Sequence, residues 1–190
     1  RMSTHEPSSR DLPVRDDYRT ALLGTIDAIA DAGAWLDGAT RVAIARIARF
    51  AFSDPDPLAP WVQLSTDPER LRHATDHPVS AVIADATYRV ARHASTVTAE
   101  WYEHTVNRDP DFGDDHYVEL VSIVVRVTAA DRFCRAAGVA LVDLPTPRPG
   151  EPSRVRPSGA RVDRHWVPTV APKDACLLYT SPSPRDGSIS

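Results

Sequence analysis

The chain has 190 residues, of which 42% are hydrophobic and 25% charged, with a formal net charge of −4. That is the make-up of one globular domain, and its acidic balance argues against a general nucleic-acid or anionic-membrane surface. No apolar run is long enough to cross a bilayer, and two cysteines, Cys134 and Cys176, are too few for a disulfide framework.

Residues 1–12 are polar, lack the apolar stretch of a signal peptide and are expected to form a disordered arm. The absence of an export signal points to the cytoplasm, and Arg1 ahead of Met2 reads as a frame opened upstream of the true start. A single domain is expected over 13–172. Pro13 suits a helix start, and Tyr18, Leu22, Ile26 and Ile29 follow at three- and four-residue steps, so a first helix should run to about Ala32 and stop at Gly33. Trp35 and Leu36 look like a loop anchor on the core. Asp37 or Thr40 caps a second helix, with Val42, Ile44, Ile47, Ala48 and Ala51 on one side and Arg41, Arg46 and Arg49 on the other.

The prolines of S-D-P-D-P-L-A-P (53–60) stop that helix. Trp61, Val62 and Leu64 form a short apolar patch expected to dock, and 65–76 is polar, with a turn at Asp67-Pro68-Glu69. Pro78 should open a third helix, with Val79, Val82, Ile83, Ala86 and Val90 on its apolar face. Caps between Ser95 and Thr98 precede a fourth helix through Trp101, Tyr102 and Val106, and 107–113 is a turn.

The stretch 114–138 is the longest apolar-periodic segment. Asp114 and Asp115 can cap its start, Arg132 and Arg135 favour its negative end, and Gly138 suits a left-handed stop. Tyr117, Leu120, Val121, Val124, Val127 and Thr128 recur at helical spacing. The β-branched run 121–127 would tolerate a strand, but the length and the end signals decide for a buried helix. Beyond Gly138 the chain is dense in Pro and Arg, so 143–172 is expected to be an extended strap pinned by Trp166, Val167 and Val170. No strand pair stands out. The fold class is therefore all-α, with about five helices and an extended Pro-rich C-terminal strap. Residues 173–190 are expected to be a non-native tail: C-L-L-Y-T-S-P-S-P-R-D (176–186) reads as the translation of a transposase sequencing adaptor.

Three groups of residues carry candidate chemistry. On the central helix His116, Glu119 and Arg126 share a face. A His–Glu pair one turn apart can relay a proton or orient a metal, and Arg126 and Tyr117 are candidate binding residues beside it. A solvated helix face would use the same residue types. On the third helix Asp85, Arg89 and His93 recur every four residues, either as the wall of a polar pocket facing the central helix or as a surface ion-pair ladder. Asp131 falls on the apolar side of the central helix and, if buried, needs a donor such as Arg46 or Arg89. Cys134 is flanked by Arg132 and Arg135, which favour a thiolate, but a helix C-terminus disfavours one, and a small buried residue is the competing role. No zinc spacing, nucleotide loop or nucleophile elbow occurs, so neither a metal nor a cofactor is expected.

Several segments, A-W-L-D-G-A-T-R-V-A-I-A (34–45), H-Y-V-E-L-V-S-I-V (116–124), D-R-F-C-R-A-A-G-V (131–139), L-P-T-P-R-P-G-E-P-S-R-V-R-P-S-G-A (144–160) and H-W-V-P-T-V (165–170), together resemble the AhpD-like superfamily of alkylhydroperoxidases and carboxymuconolactone decarboxylases. The similarity is greatest to its actinobacterial alkylhydroperoxidase-related branch. The resemblance implies an all-helical, usually oligomeric protein. Active members use a C-x-x-C pair with a Glu and a His as proton relay to reduce a peroxide. Here the matching place reads F-A-F-S-D-P-D-P (50–57), with Asp54 and Pro57 near the cysteine positions. Glu119 matches the family's Y-x-E glutamate, and Cys134 does not match the peroxidatic cysteine. The expected function is a non-redox member that binds a small ligand or does acid–base chemistry with Glu119 and His116. The alternative is a thiol-dependent hydroperoxide reductase using Cys134. A homo-oligomer is expected from the family and from exposed Trp61 and Trp101.

Overall fold

The structure, a computed structural model, describes residues 15–162 and 167–170. They group into two compact units that divide between Val155 and Arg156. The first unit is all-α, with six α-helices among the described residues: α1 Asp16–Asp27, α2 Gly38–Ser53, α3 Pro68–Ala74, α4 Ala81–Arg92, α5 Ala99–Val106 and α6 Asp114–Ala136. Single 3₁₀ turns stand at Leu64–Thr66 and Ala94–Thr96.

α6 is the expected long helix, and 121–127 lies inside it. Tyr117, Leu120, Ile123, Val124, Val127, Ala130 and Cys134 are its buried apolar stripe. Its acids do not cap it. Gly113 is the N-cap residue, and Asp114 instead accepts a hydrogen bond from the Tyr102 hydroxyl at 2.6 Å. Gly138 has φ +68° and ends the helix as the sequence implies.

α2 is as central as α6. It packs against both α4 and α6, and α4 packs on α6. Its small residues Ala43, Ala45, Ala48 and Ala51 are buried along with Val42, Ile44 and Ile47, so neighbours approach it from several sides. The expected polar side is only partly polar. Arg46 pairs with Asp76 at the surface, but Arg41 is buried and Arg49 reaches Asp131. The donor to Asp131 is therefore neither Arg46 nor Arg89: Arg49 binds it with two hydrogen bonds of 2.9 and 2.7 Å and also the Val142 carbonyl at 2.9 Å. The early residue Arg41 meets Glu119 near the start of α6, and the late residue Arg49 meets Asp131 near its end. The two helices thus run in the same direction along their contact.

Three boundaries differ from the periodicity. α1 stops at Asp27 rather than Ala32, because the chain tightens there: Ile29 and Ala30 donate to carbonyls three residues back. Both remain buried, so the apolar rhythm outlasts the helix. α3 replaces the expected turn. Pro68 occupies its first turn, Asp67 accepts from the Arg70 N–H, and only Ala74 is buried, so no apolar stripe announces it. α4 starts at Ala81, with the Ser80 hydroxyl accepting from the Ile83 N–H, three residues after Pro78. Asp37, not Thr40, caps α2, and Thr98 caps α5.

The strap is divided. Its first part docks on the loop between α1 and α2: Arg148 N–H donates to Ala30 O, Ser153 N–H to Gly33 O and Arg154 N–H to Ala34 O. The Arg148 guanidinium binds both Asp27 and Asp31. In the second unit Ala160–Arg161 pairs antiparallel with Thr169–Val170, a two-residue ladder that the sequence reading did not expect. Pro13, Trp166, and the segments 1–12 and 173–190 lie outside the described residues.

Candidate functional site

Glu119 sits on the first half of α6, where the loop after α1 and the start of α2 close over it. Its side chain and that of Arg41 are each only 9% exposed, and the two form an ion pair. The second carboxylate oxygen accepts the Trp35 N–H at 2.7 Å. Arg41 also donates to the carbonyls of Ala28 and Ile29 at 3.2 and 3.4 Å. Gly33 makes the approach possible: a Cβ there would overlap both the Glu119 carboxylate and the Arg41 guanidinium.

His116 is one turn earlier and is not hydrogen-bonded to Glu119. Its Nδ1 accepts the Gly113 N–H at 3.4 Å, and Nε2 lies 3.4 Å from Arg154 Nη1. The ring stands between Trp35 and Phe112, with centroids at 5.5 and 6.0 Å. Burial and the Arg154 cation push its pKa below the ordinary value, against the opposing pull of Glu119, Asp115 and Asp111. The pair therefore lacks a proton-relay contact. Arg126 is exposed. Seven residues on from Glu119, about 10 Å along the axis, the same face has left the covering loop behind. Tyr117 is buried edge-on against Tyr102 and Trp101, at 4.9 and 6.2 Å, and burial pushes its phenol up to about 12. Cys134 is a free, fully buried cysteine.

The place where the resemblance puts thiols holds a polar knot. Asp54 accepts the Tyr88 hydroxyl at 2.8 Å and Arg70 at 2.9 Å. Tyr88 in turn accepts the Leu58 N–H at 3.0 Å, and His93 Nε2 meets the Leu58 carbonyl at 2.7 Å. Both contacts fix the proline-rich segment after α2.

Asp85, Arg89 and His93 do share a pocket wall. It faces α5 and the 60–63 segment rather than α6. The cavity is about 210 Å³ and is also lined by Trp61, Trp101 and Arg108. The three stripe residues do not form a ladder with one another. Asp85 accepts the Ser65 N–H and hydroxyl, both at 2.8 Å, and Arg108 at 3.0 Å. Arg89 donates to the carbonyls of Pro60 and Thr96, each at 2.7 Å, and lies over the Trp101 ring at 4.9 Å. Sequence reasoning missed Arg41 and Arg108 as partners. Each lies far in sequence from the acid it binds, and no local spacing connects them.

Among the described residues no group of three or more His, Cys, Asp and Glu could hold a metal ion, and no helix is long and apolar enough to cross a membrane. No protein-family model, no curated protein and no solved structure matches the chain.

Proposed function

We propose that the chain is a non-redox, ligand-binding member of the AhpD-like superfamily, and that the cleft between α4, α5 and the 60–63 segment is its binding site. The observation that carries this is the convergence of Asp85, Arg89 and His93 with Trp61 and Trp101 around one cavity. Concave sites with aromatic walls and a few placed polar groups are where small molecules bind. The thiol alternative has less support. Asp54 stands near one expected cysteine position, and the Cys134 side chain is wholly buried. Acid–base chemistry at Glu119 is disfavoured by its engagement with Arg41 and Trp35. A homo-oligomer belongs to the same proposal, with Trp61, 82% exposed, as a contact residue; Trp101 is half-buried. A monomer in light scattering at micromolar concentration would remove that part.

Titrating the protein with a panel of small neutral, anionic and cationic fragments, read by tryptophan fluorescence, tests the binding site. Saturable quenching that Trp101→Phe reduces supports it. Silence across all three charge classes, or robust peroxide turnover by clean protein, overturns it.

A further inference from the structure

The cavity beside α4 holds an unbalanced charge. Its charged lining consists of two guanidinium groups, Arg89 and Arg108, and one carboxylate, Asp85. Arg108 is matched by Asp85 at 3.0 Å. Among the described residues no carboxylate matches Arg89. Each of its two Nη atoms donates one hydrogen bond, to the neutral carbonyls of Pro60 and Thr96, which leaves a second N–H on each, and its Nε is buried with no acceptor among the described residues. The influence that acts on its ionisation is burial, with no carboxylate set against it. Trp101 lies over the guanidinium. An aromatic face attracts a cation but does not neutralise it. A half-buried cation lacking a counter-ion raises the free energy of the empty site, and an arriving anion relieves that cost.

The rest of the lining selects the kind of anion. Trp61, Val62, Val82 and Ala86 supply apolar wall. The volume, about 210 Å³, equals the share of roughly seven waters at ~30 Å³ each, which suits a single ring. A dianion such as phosphate would meet one unmatched positive charge with Asp85 close by, and nothing for the apolar wall to hold. We infer that the cleft binds a small planar carboxylate, with its charged end on the Arg89 guanidinium and its ring against the apolar wall of Val62, Val82 and Ala86. The inference deepens the ligand-binding reading above and rests on it.

Benzoate, benzamide and benzylammonium differ mainly in charge and serve as probes. Ligand-observed NMR at low ionic strength should show benzoate binding at least ~10-fold more tightly than benzamide, the difference of about one charge-assisted hydrogen bond. Benzylammonium should not bind, and inorganic phosphate should not displace benzoate. Arg89→Gln should bring benzoate down to the benzamide level. Asp85→Asn, which frees Arg108, should tighten benzoate several-fold, and it keeps the test open if Arg89→Gln fails to fold. Equal binding of benzoate and benzamide overturns the carboxylate while leaving the cleft a binding site. Displacement of benzoate by phosphate overturns the planar apolar body. Absence of binding by every probe and by the wider fragment panel overturns the binding site itself.

Discussion

Glu119 of α6 and Arg41 of α2 form a buried ion pair that also anchors the backbone of Trp35. The pair joins two core helices and the loop on which the strap docks, so its role is architectural. Breaking a buried pair from one side leaves an unmatched charge, which costs about 3–5 kcal/mol. Glu119→Ala should therefore lower unfolding free energy by about that amount, measured by urea denaturation. The double change Glu119→Leu with Arg41→Met should cost less than Glu119→Ala alone. Unaltered stability in Glu119→Ala would contradict this account and return Glu119 to consideration as a chemical group.

Gly33 is required for space rather than for its backbone angles. Gly33→Ala drives a methyl into the Arg41–Glu119 pair and is expected to destabilise by over ~2 kcal/mol. Gly24 supplies the contrast. It lies within α1 and a Cβ there meets nothing within 4 Å, so Gly24→Ala should stabilise by about 0.5–1 kcal/mol. Thermal melts of the two variants should move in opposite directions.

His116 gives the fold a pH dependence whose sign is fixed by its surroundings. Burial, then Arg154, lower its pKa from the usual 6.5. As pH falls below 6.5, the unfolded chain takes up a proton that the folded chain resists. Stability contributed by the neutral ring is thus complete above the unfolded value. It is lost progressively as pH drops toward the folded one and is level below that. Comparing the wild-type protein with His116→Gln between pH 5 and pH 8 isolates this contribution from the carboxylates. The wild type should lose more stability than the variant over the acid half of the range. Parallel curves would show that His116 titrates as it does in the unfolded chain.

The sequence shows what depends on local repetition and hides what depends on distant partners. α6 is legible because its buried residues recur every three or four positions across 23 residues. α3 is not, because one buried alanine makes no pattern. Ile29 and Ala30 extend the rhythm of α1 beyond its end because burial does not require the helical bond. That Asp131, if buried, needs a donor follows from its position on or near the apolar side of α6. Which arginine serves it depends on how α2 crosses α6, and Arg49 is 82 residues away. The same holds in the cleft: the Asp85–Arg89–His93 stripe is visible at its four-residue steps, while the facing Trp61, Trp101 and Arg108 arrive from separate segments.

Cys134 provides a direct measure of whether any thiol chemistry survives. Its side chain is wholly buried in the stripe of α6, and no other described cysteine accompanies it. With Cys176 replaced by serine to leave one thiol, a disulfide reagent such as DTNB should label the native protein only as fast as the protein opens, and at once in denaturant. Cys134→Ala should cost about 1–2 kcal/mol by removing a buried sulfur and should leave benzoate binding within twofold. Rapid labelling of the native protein, combined with peroxide consumption that Cys134→Ala abolishes, would establish the peroxidase alternative in place of the ligand-binding one.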